Sequence, residues 1–404
     1  MDVNTTGMID LGDPATFDAG PPYGLWARMR EHAPVCEVWS PALNSRFWSV
    51  TGWAPIRGML ADDGAFVSRY GVFLGFGPDH PDPAGGRMLV VTDGERRIAL
   101  RSAMRSFFTP RAVKDFDPVL DEIFARHLVP HLDAGPFDFA QEIAWRAPML
   151  VACAILGVPP ADADQMCALA NGVLTTHDPT VDLRTGQALA TRARAQIIEY
   201  FKGLMSSLAI LKGDSLTACL LRQHQARHLD LPDVLMNLLS MLVAANETTG
   251  LSLTGAMVAF AREPSQLGLL RDAPALIDKT VEEILRWTSP GLNISRTAAK
   301  DTRLGSAPIR AGEVVTAWLP AGNRDPSVFE RPDAFDIRRP TRPQVSLGHG
   351  PHHCIGAASA RAEIAALLRC LRRHVSHVSL AGELLGTHSN SVWGYAHAPI
   401  EITA

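Results

Sequence analysis

The sequence predicts a mainly α-helical protein with a long central helix and a minor β region. Apolar residues recur at helical spacing through residues 117–228, interrupted only by turn signals. Residues 232–262 continue without an internal proline, which gives about 31 residues or ~46 Å of helix. Two strand-like stretches lie around residues 35–39 and 47–51. No linker-like stretch divides the chain, so we expect one domain over residues 1–404.

Composition excludes several classes of protein. The 404 residues, 47% of them hydrophobic, can bury a large core. A formal net charge of -4 gives no basic footprint for nucleic acid or a membrane surface, so we expect neither partner. Residues 1–14 lack the basic flank and apolar core of a signal peptide or anchor. Six cysteines without close pairs indicate a reduced, cytoplasmic protein without a disulfide framework: Cys36, Cys153, Cys167, Cys219, Cys354 and Cys370.

The N-terminal part predicts a short helix and a long loop on either side of the two strands. Residues 23–32 read as an amphipathic helix. Residues 70–93 are rich in glycine and proline with interleaved apolar residues, and loops of this length are uncommon unless functional or mobile. We expect a lid over a pocket, with a plain surface loop as the alternative.

A helix through residues 95–108 carries two arginines on one face. Arg97 and Arg101 are four residues apart and project in the same direction. Two neighbouring guanidinium groups suit an anion. The residues alone also allow a solvated basic face.

The predicted central helix contains a polar group of residues amid apolar ones. Asn246, Glu247, Thr248 and Thr249 follow M-L-V-A-A. Buried polar groups cost free energy unless they are paired, and glutamate is rarely buried, so this group indicates a functional site. The alternative is structural, because threonine and asparagine can bond the preceding carbonyl groups and bend a helix.

Glu283 and Arg286 occupy positions i and i+3 of a predicted helix, a spacing that forms an ion pair. An exposed pair would contribute little to stability. The apolar neighbours Ile284, Leu285 and Trp287 indicate that this pair is buried.

The chain is organised around residues 346–356, S-L-G-H-G-P-H-H-C-I-G, which precede a predicted helix over residues 357–373. Cys354 therefore lies at a helix N-terminus, where free N–H groups and the helix dipole favour a thiolate. Gly348 and Gly350 permit positive φ, and Gly356 leaves room for a flat group. A flat ligand with an axial thiolate is haem.

Two other interpretations of this stretch are open on the residues alone. A glycine-rich turn that ends in cysteine can be a structural loop. Zinc is the second alternative, because His349, His352, His353 and Cys354 are zinc-ligand types. Four ligands within six residues cannot easily close a tetrahedron, and no C-x-x-C or H-E-x-x-H motif supports zinc.

The stretch resembles the haem-binding signature of the cytochrome P-450 family, F-G-x-G-x-H-x-C-x-G. Every position matches except the first, where Leu347 replaces phenylalanine. The family's A-G-x-[DE]-T motif is matched by Glu247 and Thr248, while Ala245 replaces the usual glycine. In this family the acid and the alcohol act in dioxygen activation and relay protons.

Further family motifs occur in the expected order. The family's H-x-x-x-R, which holds a haem propionate, is matched at Arg101, whereas Arg97 stands in place of histidine. Arg296 in I-S-R-T-A matches another propionate-binding arginine. The family's E-x-x-R pair is an internal structural bond completed by an arginine of F-D-x-x-R, which is Arg339 here.

The resemblance implies the cytochrome P-450 fold and one non-covalent haem b. Cys354 would be the axial thiolate ligand of the iron, and His352, Arg296 and Arg101, helped by Arg97, would neutralise the propionates. The remaining cofactor-binding positions implied are Leu347, Gly348, Ile355, Gly356 and Ala245.

The implied activity is that of a monooxygenase acting with O2 on a medium-sized, largely apolar organic substrate, such as a secondary metabolite. Electrons from NAD(P)H would arrive through ferredoxin and ferredoxin reductase, because only fifty residues follow Cys354 and no flavin or iron–sulfur module precedes it. We expect a monomer. The alternatives are a peroxide-driven or oxidative-coupling enzyme on the same fold, and a haem sensor, against which Glu247 and Thr248 argue.

By analogy with the family, the substrate pocket draws on both apolar and hydrogen-bonding groups. The polar members would be His177 and Asn293. The predicted lining is the 70–93 loop, residues 171–180, Leu242, Val243, residues 292–294, Val392 and Trp393.

Overall fold

A computed structural model describes residues 9–207, 210 and 213–404 of the chain. Residues 1–8, part of the stretch examined for a signal peptide, lie outside the described residues. The prediction of a mainly α fold is confirmed. The helices are α1 Tyr23–His32, α2 Trp53–Ala61, α3 Gly94–Met104, α4 Pro110–Lys114, α5 Asp117–Leu128, α6 Arg146–Leu156, α7 Ala163–Leu174, α8 Leu183–Met205, α9 Leu216–Gln225, α10 Leu231–Arg262, α11 Pro264–Asp272, α12 Ile277–Thr288, α13 Leu319–Gly322 and α14 Ala357–His374.

The β region is larger than the two strands that the sequence indicated. The main sheet has the order β1-β2-β8-β5-β3, in which β2 and β8 are parallel and the other pairs are antiparallel. The C-terminal strand β12 lies between β4 and β9. The strands are β1 Val35–Ser40, β2 Ser45–Val50, β3 Phe66–Val67, β4 Phe137–Asp138, β5 Asn293–Ala298, β6 Thr302–Leu304, β7 Ala307–Ile309, β8 Val314–Trp318, β9 His377–Leu380, β10 Leu385–Gly386, β11 Tyr395–His397 and β12 Pro399–Thr403.

The long helix α10 forms as predicted and begins one residue earlier. Asp230 and Asp233 form a capping box at its start, where Pro232 costs no helical hydrogen bond. It is long and apolar enough to cross a membrane, and 56% of its most apolar stretch of 18 residues is buried inside the protein. Its residues Val234, Leu238 and Phe260 belong to the main core, which explains the apolar composition of this helix.

The main hydrophobic core lies between α10 and the surrounding helices. Leu253 and Met257 of α10 and Ile364 and Leu367 of α14 belong to this core, and the two helices are in contact. A second core beneath the five-stranded sheet contains Val315 and Ala317 of β8. The site described below lies where α10, α14 and β5 approach one another.

The 70–93 segment is docked against the rest of the protein by its backbone. Ser295 of β5 donates to the carbonyl oxygen of Val72 at 2.8 Å. Leu89 donates to the Asn237 side chain of α10 at 2.9 Å. These contacts place the segment beside α10 and β5, the position that a lid would need.

The predicted ion pair of α12 is buried and is confirmed. Glu283 and Arg286 are 3% and 1% exposed. Arg339 completes the pair, with its Nε atom 2.9 Å from Glu283 Oε2. Arg286 also donates to the carbonyl oxygens of Asn323 and Pro332, so this cation ties several loops to α12.

Candidate functional site

The loop before α14 has the backbone geometry that its glycines predicted. Gly348 and Gly350 have φ angles of +71° and +68°. A Cβ atom on Gly350 would lie 2.6 Å from the carbonyl oxygen of Leu60, which leaves no room for a side chain. The N–H of Cys354 donates to the Leu347 carbonyl oxygen at 2.9 Å, and α14 begins three residues later.

The thiol of Cys354 lies deep in the protein and is still accessible. Its side chain is exposed, whereas burial raises its pKa. The exposed side chain and the pKa raised by burial are consistent if the accessible surface of Cys354 faces an internal space. The Gly356 backbone N–H and the Arg101 and Arg361 cations oppose that rise. The helix start favours the thiolate, as expected, through the Gly356 N–H, but desolvation outweighs this effect and the pKa of the thiol is raised. A metal cation would hold the sulfur deprotonated.

The sequence-based zinc alternative fails. Among the described residues, no group of three or more His, Cys, Asp or Glu side chains could hold a metal ion. His349 instead lies 3.2 Å from the Arg57 guanidinium.

Arg296 of β5 is a buried cation without a carboxylate partner among the residues that the structure describes. It donates only to the neighbouring carbonyl oxygen of Ser295, at 2.8 Å. Burial lowers its pKa to about 10, against the opposing charge of Asp93. The Ile294 side chain beside it lies 3.7 Å from the position of a Cβ atom on Gly348, so this cation adjoins the cysteine loop. A buried cation without a counterion fits an anionic ligand.

Arg97 and Arg101 of α3 share one face, and the solvated-face alternative is wrong for Arg97. Arg97 is 8% exposed and donates to the Pro351 carbonyl oxygen at 2.9 Å, while its Nε atom has no partner in the described chain. Burial lowers the pKa of Arg101, and the Cys354 charge opposes that shift. Arg101 is thus close enough to the thiol to sense its charge.

His352 contacts protein groups that the sequence did not indicate. Its Nε2 atom lies 3.2 Å from Ser68 Oγ and 3.6 Å from Asp93 Oδ1. Burial lowers its pKa, although the Asp93 hydrogen bond opposes the shift. His352 lies in the predicted region, and its predicted role toward a propionate is untested.

The polar residues of α10 are divided between interior contacts and an accessible face. Thr248 Oγ1 donates to the Ala244 carbonyl oxygen at 3.1 Å, which is the bond to a preceding carbonyl group that the structural interpretation predicted. Ala244 is nevertheless exposed and Thr248 partly so, although they lie in the middle of a core helix. Internal space therefore borders α10 at this point. Asn246 is fully buried and donates to Asn171 at 2.8 Å.

Glu247 has a partner that sequence reasoning missed. Its Oε1 atom lies 2.5 Å from Nδ1 of His177, in the short turn between α7 and α8. We predicted both residues near the active site, Glu247 as a proton donor and His177 as a pocket group. No local pattern pairs residues 70 positions apart.

Two predicted pocket residues do not line a cavity. Leu242 and Leu292 have no exposed surface, since Leu242 packs into the main core and Leu292 into the aromatic core of Phe17, Trp26 and Trp318. Asn293 is buried, with its amide nitrogen 2.6 Å from the Asn390 carbonyl oxygen. Helical and strand periodicity could not tell core from cavity at these positions.

Comparisons with known proteins agree on one family. The sequence model described as "Cytochrome P450" matches residues 193–380. The chain is 33% identical to putative cytochrome P450 126 of Mycobacterium tuberculosis, over 98% of this chain and 97% of that protein. It is 31% identical to luteothin monooxygenase of Streptomyces thioluteus, over 77% of each.

Solved structures agree with the sequence relatives. P450 OxyD, involved in the biosynthesis of vancomycin-type antibiotics, has a TM-score of 0.88 at 35% identity, covering 98% of this chain and 100% of that one. The chain therefore belongs to the cytochrome P450 family and is an oxidoreductase.

The family implies haem, and the residues present fit it. Gly356 presents open space beside the thiol, because a Cβ atom there would meet only Cys354 Sγ, at 3.9 Å. Arg296 and Arg97 supply buried positive charge with unused hydrogen-bonding capacity, as the two propionates of haem require.

Proposed function

We propose that this protein is a haem-thiolate monooxygenase that inserts one oxygen atom from O2 into a medium-sized, largely apolar organic molecule. The main supporting observation is the Cys354 thiol near a helix start, beside Arg296, a buried guanidinium group that has no carboxylate partner in the described chain. The buried Arg97 adds a second cation, which is paired with Asp63 at 3.4 Å but has an Nε atom without a partner in the described chain. This donor set matches an iron ligand and two propionate anions. A structural loop would not need a buried cation without a counterion.

In this proposal Cys354 binds the iron of haem b through its thiolate. Arg296 and Arg101 neutralise the propionates, with His352 and Arg97 as further donors. The residues that would border the macrocycle are Leu347, Gly348, Ile355, Gly356 and Ala245. Haem with a thiolate ligand supplies the activation of O2 and favours O–O cleavage.

Glu247 and Thr248 are the proposed catalytic residues. The Thr248 hydroxyl is held by the Ala244 carbonyl oxygen and stays partly accessible from the internal space. Glu247 is held beside it on α10 through His177. An acid and an alcohol fixed on one helix can hold and move a proton at the reacting centre. The methyl group of Ala245 narrows this face of α10 relative to glycine.

The proposed substrate class rests on the accessible pocket residues and on the relatives. Val243, Ile294 and Trp393 are partly accessible, and His177 and Glu247 supply polar contacts among them. OxyD takes part in the biosynthesis of antibiotics. We therefore place this enzyme in secondary metabolism, as a cytoplasmic, monomeric, single-domain protein over residues 1–404. Its electrons come from NAD(P)H through ferredoxin and ferredoxin reductase.

The absorption spectrum of the reduced, carbon-monoxide-bound protein tests the central assignment. We expect the red-shifted band of thiolate-ligated haem in the wild type and its loss in Cys354→Ser. Cys370→Ser is the matched control, because Cys370 lies in the core on α14, the helix that follows Cys354, and its replacement should leave the band unchanged. A histidine-type spectrum in the wild type, or an unchanged band in Cys354→Ser, would show the assignment to be wrong.

A further inference from the structure

The turn between α7 and α8 is joined to the central helix by one short polar contact. His177 ends the turn Thr175–His177, and its Nδ1 atom lies 2.5 Å from Oε1 of Glu247. The Glu247 side chain is 10% exposed and that of His177 is 26% exposed. The contact therefore spans from a partly accessible imidazole to a nearly buried carboxylate.

Each residue of this pair has one engaged polar atom and one open atom. Within the described chain, Glu247 Oε2 and His177 Nε2 have no hydrogen-bonding partner, and neither atom is fully buried. A proton can therefore enter at one end of the pair and leave at the other. Most buried ion pairs do not offer this, because their remaining atoms bond neighbouring groups.

We infer that His177 and Glu247 form a two-residue proton relay that leads from the turn between α7 and α8 to the polar segment of α10. His177 Nε2 takes a proton from a hydronium ion of the solvent, and the Nδ1 proton passes to Glu247 Oε1. The Glu247 carboxyl group then turns about its Cγ–Cδ bond and releases this proton towards α10, and the imidazole regains its Nδ1 proton by exchange with water. No electrons are transferred in these steps. His177 is a positioning and resupply residue, and the relay rests on the proposed monooxygenase function.

The charges around the pair favour a protonated imidazole. Burial would lower the pKa of His177, but the Glu247 carboxylate more than compensates and the pKa is raised, against a small opposing effect of Arg194 on α8. Asp178 follows in the same turn, 3.9 Å from His397 of the C-terminal strands. His388, which lies between β10 and β11 and contacts the turn through its backbone, is paired with Asp18.

The turn is held by contacts that do not depend on the imidazole of His177. The backbone N–H of His388 donates to the His177 carbonyl oxygen at 2.9 Å. Thr175 Oγ1 donates to the carbonyl oxygens of Gly172 and Gly186 at 2.9 and 3.2 Å. Substituting the His177 side chain should therefore leave the turn in place.

Two variants separate a relay from a merely structural contact. His177→Phe removes the polar contact, whereas His177→Gln keeps an N–H donor but cannot take up a proton. His397→Gln is the matched control, because His397 is also near the turn but bonds Asp138, at 2.9 Å. All are studied as haem-loaded protein.

The first measurement is the titration of His177 by deuterium exchange at its C2 position, read by mass spectrometry. In Glu247→Gln the pKa of His177 should fall relative to the wild type, because the neighbouring negative charge is gone. An unchanged titration would show that the pair does not exist in solution. This readout does not depend on catalysis.

The second measurement is the ratio of product formed to NAD(P)H consumed, from pH 6 to pH 9. In the wild type this ratio should fall as His177 deprotonates with rising pH. His177→Gln should lower the ratio about tenfold near neutral pH. This loss is smaller than the 10²–10⁴-fold loss of rate typical when a group that transfers protons directly is removed, because His177 acts through Glu247. The same variant should also flatten the pH profile, and His397→Gln should do neither.

The outcomes distinguish the relay from the proposed function. A wild type that forms product, with unchanged ratio and pH profile in both His177→Gln and His177→Phe, would overturn the relay alone. A wild type without the thiolate spectrum would overturn the proposed function. A lower ratio in His177→Phe with full recovery at every pH in His177→Gln would reduce His177 to a spacer and also contradict the relay.

Discussion

Glu283 and Arg286 meet inside the protein through two hydrogen bonds of 2.8 Å each, one turn apart on α12. The same carboxylate accepts hydrogen bonds from Arg339 Nε and from the backbone N–H of Asp336, both at 2.9 Å. One anion therefore organises two cations and the loop at Asp336. Its removal should affect folding before chemistry.

We expect Glu283→Ala to destabilise the protein by roughly 3–5 kcal/mol and to reduce haem retention, because Arg286 and Arg339 would lose the buried counterion that they share. Denaturant unfolding and the haem-to-protein absorbance ratio measure both effects. Glu282→Ala is the control on the same helix. Its partly exposed pair with Arg361 should contribute no more than about 1 kcal/mol. Equal stability of the two variants would contradict the prediction.

Arg296→Met should weaken haem retention without a large loss of folding. Arg296 has no carboxylate partner in the described chain, so its replacement breaks no internal ion pair. A charge-assisted hydrogen bond to a propionate contributes about 1.5–3 kcal/mol, so haem should dissociate roughly tenfold faster or more.

Transfer of haem to an excess of apomyoglobin measures that rate. Arg296→Lys, which keeps the charge, should recover part of the retention. Arg303→Met, on the exposed β6–β7 hairpin, should not change it. Faster loss in Arg303→Met, or none in Arg296→Met, would argue against a propionate contact.

Thr248→Ala should keep haem and substrate binding but divert reducing equivalents to hydrogen peroxide, because the hydroxyl that would hold the proton donor is removed. The ratio of product to NAD(P)H with a competent ferredoxin system measures this. Thr254→Ala is the control on α10, since Thr254 makes the same type of bond to a preceding carbonyl oxygen but is fully buried. An unchanged ratio in both Thr248→Ala and Glu247→Gln would mean that protons arrive by another route.

Local sequence signals predicted the elements whose ends are fixed by local chemistry. Helix α1 occupies the predicted residues, and α10 differs by one residue because Asp230 and Pro232 define its start. The hairpin strands shifted by one or two residues because pairing extends to Ser40 and Ser45 at the turn. The motif around Cys354 also specified its glycine conformations, since Gly350 faces backbone atoms at 2.6 Å.

Tertiary contacts decided what the sequence could not. The bond between His177 and Glu247 depends on how the α7–α8 turn folds back over α10. The pKa of Cys354 depends on burial that no local pattern measures. Leu242 and Leu292 were expected in a pocket and lie in cores, because an apolar side chain suits either environment.

Glu363 of α14 is an unpaired acid in the interior. It is 3% exposed, its Oε2 atom has no hydrogen-bonding partner in the described chain, and burial raises its pKa to about 8. The folded protein therefore binds a proton that the unfolded chain releases near pH 4.5. By linkage, the stability it contributes is complete below that pH and is lost as the pH rises towards about 8.

Glu363→Gln should remove this pH dependence, because the amide cannot ionise. Between the two pKa values each pH unit costs the wild type up to about 1.4 kcal/mol, so the variant should gain stability relative to the wild type from pH 5 to pH 8. Thermal unfolding of the haem-loaded proteins across this range measures the difference. Glu383→Gln, at an exposed position, should track the wild type. Parallel curves for Glu363→Gln and the wild type would show that Glu363 is already ionised and paired in the folded protein.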